Sequence, residues 1–161
     1  MEFIALKDQS VLEITGRDAI KFFQGYCTCN LDELAPGKSL LGAITNIQGR
    51  VETTFIAALD SNHQLTDTLG QSLLISMRRD MVKPMIELLQ HYIVFSKANM
   101  IDRSDDLYCY GVMSCAPLAD QFTVNIDQRS ERQELWTNRI LEDATSDNQW
   151  QEKDITDGLI W

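Results

Sequence analysis

Apolar and polar positions along the chain change period several times, and each change predicts an element. "VLEITG" (11–16) alternates, which predicts a strand. Ala19, Phe22 and Phe23 then fall on one helical face, with Ile20 at its edge, and this face is read as core. Thr15 and Asp18 would open that helix as a capping-box variant, and Gly25 would close it. "APGKS" (35–39) is a turn, since proline fixes φ and glycine frees it. "LLGAITN" (40–46) and "VETTFIAAL" (51–59) are β-rich and flank "IQGR", which predicts a hairpin. "DSNHQ" (60–64) supplies turn formers, and "SLLISM" (72–77) predicts another strand. From Asp80 to about Tyr92 the pattern turns helical. Met81, Met85, Leu88 and Tyr92 recur along one face, and Ile86 and Leu89 widen the stripe. Pro84 is expected near the first turn, where its missing N–H costs least. "LYCYGVMS" (107–114) predicts a strand holding Cys109, with weaker strand signals at 123–126 and 133–138. Strand, helix, hairpin, strand, helix, strands is the order of an α+β fold with antiparallel sheets and packed helices, not of alternating βαβ units. No repeat or linker divides the sequence, so residues 1–161 are read as a single domain.

Composition narrows the function classes. The 161 residues are 44% hydrophobic and 24% charged, ordinary for a globular protein. A net charge of −10 repels polyphosphate, and Arg78-Arg79 is the densest basic pair, so no direct nucleic-acid partner is expected. No apolar run approaches the roughly 18 residues of a membrane helix. "MEFIALKDQS" has no basic leader before an apolar stretch, so the expectation is a cytoplasmic protein without a membrane partner.

The four cysteines are Cys27, Cys29, Cys109 and Cys115. Their C-x-C and C-x5-C spacings differ from the usual C-x2-C of zinc sites, and only His63 and His91 are spare ligands. The expectation is buried reduced thiols and no metal. No Ser/His/Asp set, glycine-rich phosphate loop or H-E-x-x-H motif marks a catalytic centre. Catalytic residues are therefore expected to be none.

Read together, "ITGRDAIKFFQGYCTCNLDELAPGKSLLGAITNIQGRV" and "LLQHYIVFSKANMID" resemble the YgfZ family, folate-binding relatives of the glycine cleavage T-protein (aminomethyltransferase). The family pattern runs G-x-D-A-x-x-F-x-Q-G-x-x-T-x-D, then P-G, then N-x-Q-G-R-V, then Y-x-x-F-S-K. Gly16, Asp18, Ala19, Phe22 or Phe23, Gln24, Gly25, Thr28, Pro36, Gly37, Asn46, Gln48, Gly49, Arg50, Val51, Tyr92, Phe95, Ser96 and Lys97 match it in order. From about Leu107 the match is loose. "WQEKDITDGLIW" resembles the family's W-x-x-x-x-I-x-x-G-x-P segment, with Leu159 in place of proline. Cys27 and Cys29 fall on spacer positions of the loop, which implies small packed residues. The resemblance implies the folate-binding domain of the T-protein/YgfZ fold without its C-terminal barrel. The reactive-cysteine signature K-G-C-Y-x-G-Q-E is absent and would follow Trp161, so the chain is expected to be a fragment or a short member. Asn30 stands at the family's loop aspartate, and Glu52, Thr53 and Thr54 stand where T-protein relatives carry an aspartate pair.

What the resemblance implies about function is tetrahydrofolate binding. A pterin edge suits amide or carboxylate partners, its flat face an aromatic wall, and its glutamate tail Arg or Lys. Asn30, Asn46, Gln48 and Glu52 are the polar-edge candidates, in a site that also takes in Thr28. Tyr92 and Phe95 are candidate walls, and Arg50 and Lys97 candidate tail contacts. Each has a structural alternative. Asn46 and Gln48 serve equally as hairpin turn residues, Tyr92 as core, and Arg50 as the surface partner of Glu52 or Glu33. The implied role is a non-enzymatic folate-binding accessory protein in iron–sulfur cluster assembly or repair, with effects on tRNA modification. Its partners would be a folate-like molecule and iron–sulfur assembly proteins. The alternatives are an aminomethyltransferase-type enzyme acting on tetrahydrofolate, against which the missing aspartates argue, and a structural domain that binds nothing. Leu159, Ile160 and Trp161 form an apolar end, from which a homodimer with the C-terminal segment at or near its interface is expected.

Overall fold

Strand β2 (Gln9–Thr15) is buried at every residue, and the rest of the protein is arranged around it. The computed structural model describes residues 1–61, 64–65, 71–114, 118, 121–125, 132–146 and 148–157. His63, Cys115 and the Leu159-Ile160-Trp161 end lie outside the described residues. In chain order the elements are β1 (Phe3–Ala5), β2, α1 (Ala19–Gln24), β3 (Leu40–Thr45), β4 (Val51–Asp60), β5 (Ser72–Arg78), α2 (Arg79–Ile93), β6 (Asn99–Asp102), β7 (Tyr108–Met113), β8 (Thr123–Asn125), β9 (Arg132–Thr137) and α3 (Gln149–Asp157). A 3-10 turn covers Leu31–Glu33.

The fold is α+β with two antiparallel sheets. The larger has five strands in the order β3-β4-β5-β2-β6, and the smaller has four in the order β1-β7-β9-β8. Every pairing between the named strands is antiparallel. Side chains on the larger sheet alternate between two interiors. Leu12, Ile14, Phe55, Ala57, Leu59, Leu73, Ile75 and Met77 pack with Phe22 and Phe23 of α1 and Val82, Met85 and Leu89 of α2. Val11, Ile56, Ala58 and Leu74 pack instead with Ile4, Cys109, Val124, Trp136 and Trp150 from the side of the smaller sheet. Covering both faces explains why "FIAAL" is a continuous apolar run rather than an alternation. A large apolar side chain buried in this way stabilises by roughly 1.5–3 kcal/mol.

The structure corrects several local expectations. Thr15 ends β2, and Asp18 makes no side-chain cap on α1, so no capping box forms. The buried stripe of α2 is Val82, Met85 and Leu89, with Met81 and Leu88 at its flanks and Tyr92 at its exposed edge. The helix begins at Arg79, so Pro84 lies inside it, past the first turn. There it removes one main-chain bond, to the carbonyl four residues earlier. Strands β1 and β6 and helix α3 carry too little periodicity to be read from the sequence. The first two are short and are held by long-range partners, β7 and β2 respectively.

Candidate functional site

The residues that carry the sequence motifs converge where α1, the loop at 25–31, the β3–β4 hairpin and the end of α2 meet. Gly16 makes the first join. Its φ is 103°, and a Cβ there would lie 2.4 Å from the Lys97 carbonyl oxygen, so only glycine lets the two backbones approach. Asp18 completes the bracket. Its carboxylate accepts from the Lys97 N–H at 2.8 Å, and its own N–H donates to the Lys97 carbonyl at 3.2 Å. The G-x-D and F-S-K motifs are thus two halves of one fastening.

Gln24 makes the second. At the end of α1, its amide nitrogen donates to the Cys29 carbonyl at 2.8 Å, while its oxygen accepts from the Leu31 N–H at 2.7 Å. One side chain closes the loop, and Leu31 anchors it in the core. The loop is then sewn to β3. The Thr28 N–H donates to the Ala43 carbonyl at 3.0 Å, the Ala43 N–H donates to Thr28 Oγ1 at 2.9 Å, and the Thr45 N–H donates to the Tyr26 carbonyl at 3.1 Å. Gly42 leaves room for Cys29 Sγ, which would lie 2.8 Å from a Cβ at that position.

The hairpin that follows is set by Asn46. Its Oδ1 accepts from the N–H groups of Gln48 and Arg50 at 2.9 and 3.0 Å. Gly49 adopts φ 77°, the left-handed conformation the turn requires. Asn30 plays a similar part, its Oδ1 accepting from the Asp32 N–H at 3.2 Å. Thr28, Asn30 and Asn46 therefore spend a side-chain oxygen each on backbone geometry, as the turn reading of Asn46 expected. Gln48, Arg50, Glu52 and Lys97 are exposed, and among the described residues their side chains make no hydrogen bond or ion pair. Arg50 pairs with neither Glu52 nor Glu33, and Glu33 lies 3.7 Å from Lys38 instead.

Tyr92 is 36% exposed, and its ring stacks at a tilt on Tyr26, with centroids 5.3 Å apart. Tyr26 leans in turn on Phe22 at the same 5.3 Å. Tyr26 was missed in the sequence, although it follows Phe22 by one helical turn, which is the signal that would have found it. Burial, and secondarily the neighbouring Tyr92, lift the Tyr26 phenol above its ordinary pKa. Phe95 lies just past α2 and is 90% exposed. The arrangement is an aromatic shelf of Tyr26 and Tyr92, tied through the Tyr26 carbonyl and the Thr45 N–H to the β3–β4 hairpin, on which Gln48, Arg50 and Glu52 are exposed. Two clefts elsewhere have volumes of about 230 and 310 Å³. One is lined by Lys38, Ala58, Gln64, Phe122 and Thr123 among others, the second by Gly16, Arg17, Ile20, Leu59 and Gln71, and neither by any candidate binding residue. Among the described residues no three His, Cys, Asp or Glu side chains are grouped to hold a metal ion, and no helix is long and apolar enough to cross a membrane.

No protein-family model matches the chain. It is 29% identical over 126 residues to the tRNA-modifying protein YgfZ of Yersinia pestis, covering 76% of this chain and 35% of that protein. It is 25% identical over 130 residues to an uncharacterized protein of Haemophilus influenzae, covering 80% of this chain and 43% of that one. The chain thus spans less than half the length of these curated relatives. In structure it resembles the glycine cleavage system aminomethyltransferase T of Bartonella henselae, with a TM-score of 0.61, 8% identity, and coverage of 84% of this chain and 41% of that one. At that identity the likeness speaks for the fold alone. The distant sequence match and the shared fold agree with the motif positions Gly16, Asp18, Gln24 and Asn46: the chain is similar in sequence to a YgfZ protein over part of that protein's length, and similar in fold to the aminomethyltransferase.

Proposed function

We propose that this chain is a tetrahydrofolate-binding accessory protein of the YgfZ kind, serving iron–sulfur cluster assembly or repair and, through it, tRNA modification. The observation that carries the folate part is the Tyr26–Tyr92 shelf, fastened by loop 25–31 to a hairpin that presents Gln48, Arg50 and Glu52. A pterin laid on the shelf would gain stacking of about 0.5–1.5 kcal/mol beyond the area it buries. Gln48 and Glu52 offer acceptors for its amino edge. Arg50 offers a bidentate partner to a glutamate carboxylate, and Lys97 a point charge. In this reading Thr28, Asn30 and Asn46 hold the backbone in place rather than touch the ligand. Asn30 in place of a carboxylate favours binding over one-carbon transfer. The link to tRNA modification rests on the name of the Yersinia pestis relative.

The test is a titration of the protein with tetrahydrofolate followed by amide NMR. We expect shifts at residues 25–31 and 46–52 with a dissociation constant on the order of micromolar to millimolar. Tyr92→Ala and Arg50→Ala should each weaken binding by about five- to tenfold, and Arg50→Ala more for polyglutamylated folate. Unmoved amides in both segments at millimolar tetrahydrofolate would remove the folate reading.

A further inference from the structure

Cys27 and Cys29 flank Thr28 in the bent part of loop 25–31, and both are free, half-buried thiols. Cys27 Sγ donates to the Cys29 carbonyl at 3.6 Å. Gln24 holds both halves of the pair, its amide nitrogen lying 2.8 Å from the Cys29 carbonyl and 3.7 Å from Cys27 Sγ. The main chain bends at residues 28 and 29, between the two cysteines, and brings the Cys29 carbonyl back to Cys27 Sγ. We propose that Cys27 and Cys29 form a thiol–disulfide exchange site for low-molecular-weight disulfides, with Cys29 attacking and Cys27 resolving.

The two thiols are unequal. The neighbouring Cys27 thiol draws the Cys29 thiol below its ordinary pKa, against burial and the nearby charge of Glu33. Cys29, with burial, pushes Cys27 up, so it keeps its proton. An acidified thiol beside a protonated one is the arrangement that makes a dithiol reactive. Cys109 is the contrast. It is buried between the sheets beside Ser76 Oγ at 4.0 Å, and burial pushes its thiol up, which leaves it inert.

The chemistry balances with a small disulfide as the oxidant. Cys29 thiolate attacks one sulfur, the disulfide bond breaks, and the departing thiolate takes up a proton. Cys27 then loses its proton to solvent and attacks Cys29 Sγ, expelling the second thiol. Two protein thiols are oxidised to one disulfide, and one small disulfide is reduced to two thiols. Ring closure also takes the Cys27 sulfur away from Gln24 and twists Thr28, whose two bonds to Ala43 tie the loop to β3.

The experiment is to incubate the folded protein with glutathione disulfide, quench with acid, alkylate the remaining thiols and map the peptides. The expected product is a Cys27–Cys29 disulfide with Cys109 still free, together with faster amide exchange at Thr28 and Ala43. Cys27→Ser should stop at a glutathione adduct on Cys29, and Cys29→Ser should slow reaction at Cys27 by about tenfold or more. Recovery of both as free thiols, under conditions that oxidise an unfolded peptide of the same loop, would overturn the proposal. So would first attack at Cys27. If a serine variant does not fold, the wild-type map decides alone, because only an internal disulfide between these two residues supports the assignment.

Discussion

The two faces of the larger sheet are built on opposite terms. Against α1 and α2 the buried side chains are mainly apolar, with Ser10 and Thr53 as small polar exceptions and Phe23 and Phe55 meeting edge to face at 5.3 Å. Against the smaller sheet the interior is mixed. Gln9, Ser76, Arg132, Glu134 and Asp154 are all buried there among Cys109, Trp136 and Trp150. Arg132 lies 2.8 Å from Asp154 and 4.8 Å from the centre of the Trp150 ring. Trp136 Nε1 donates to Glu134 at 2.8 Å, and the other Glu134 oxygen has no partner among the described residues. Gly111 accommodates the Trp150 indole, which would lie 2.4 Å from a Cβ there. An apolar interior tolerates any filling of the right volume. A polar one depends on each charge meeting its partner, because an unpaired buried charge costs more than a pair contributes.

The sharpest contrast comes from one truncation on each side. Asp154→Ala should cost about 3–5 kcal/mol, since it leaves the buried Arg132 guanidinium without this carboxylate. Phe23→Ala should cost a similar amount, about 3–5 kcal/mol, by opening a cavity. Rescue distinguishes them. Adding Arg132→Leu to Asp154→Leu should recover most of the loss in chemical denaturation, whereas no polar change restores Phe23→Ala.

Next comes pH. Burial is the main cause that pushes Glu134 from an ordinary 4.5 to about 7, helped by Asp154 and opposed by Trp136, Gln9 and Arg132. The folded protein therefore holds this proton more tightly than the unfolded chain does. Its stabilising contribution is complete below about 4.5 and is lost as pH rises through about 7. By linkage the loss is up to about 3 kcal/mol. Denaturation midpoints followed from pH 5 to 8 should fall, and Glu134→Gln should flatten that slope. A wild-type slope unchanged by Glu134→Gln would assign the dependence to another group.

The smallest effect belongs on the helix side, at the loop. Gln24→Ala leaves the Leu31 N–H without its acceptor, at a cost of about 1–2 kcal/mol. Faster hydrogen exchange at Leu31, with the strand amides of β2 and β5 unchanged, is the expected signature.

Most of the helix-side architecture was legible in the sequence, because it rests on periodicity. The strands β2 to β5, the hairpin turn and the core role of Phe22 and Phe23 follow from spacing and from the residues that turns require. The motif positions were legible too, but not their work. Gly16, Asp18 and Gln24 read as a pattern, and only the fold shows them fastening Lys97, Cys29 and Leu31. Tyr26 became visible as part of the shelf once α2 had brought Tyr92 beside it. The polar interior was hidden for a different reason. Arg132 and Glu134 share a face of β9 with Trp136, and nothing local in a charged strand residue signals its burial.

The sequence alone therefore determined where β2 to β5, β7, α1 and α2 extend, coil and turn, since those depend on the size, branching and polarity of near neighbours. Tertiary structure decided which of those surfaces became interior. Burying Glu134 depends on Gln9 and Trp136, and burying Arg132 depends on Asp154 some 22 residues away. No local pattern encodes such pairings, because the free energy of a buried charge is set by what stands across from it.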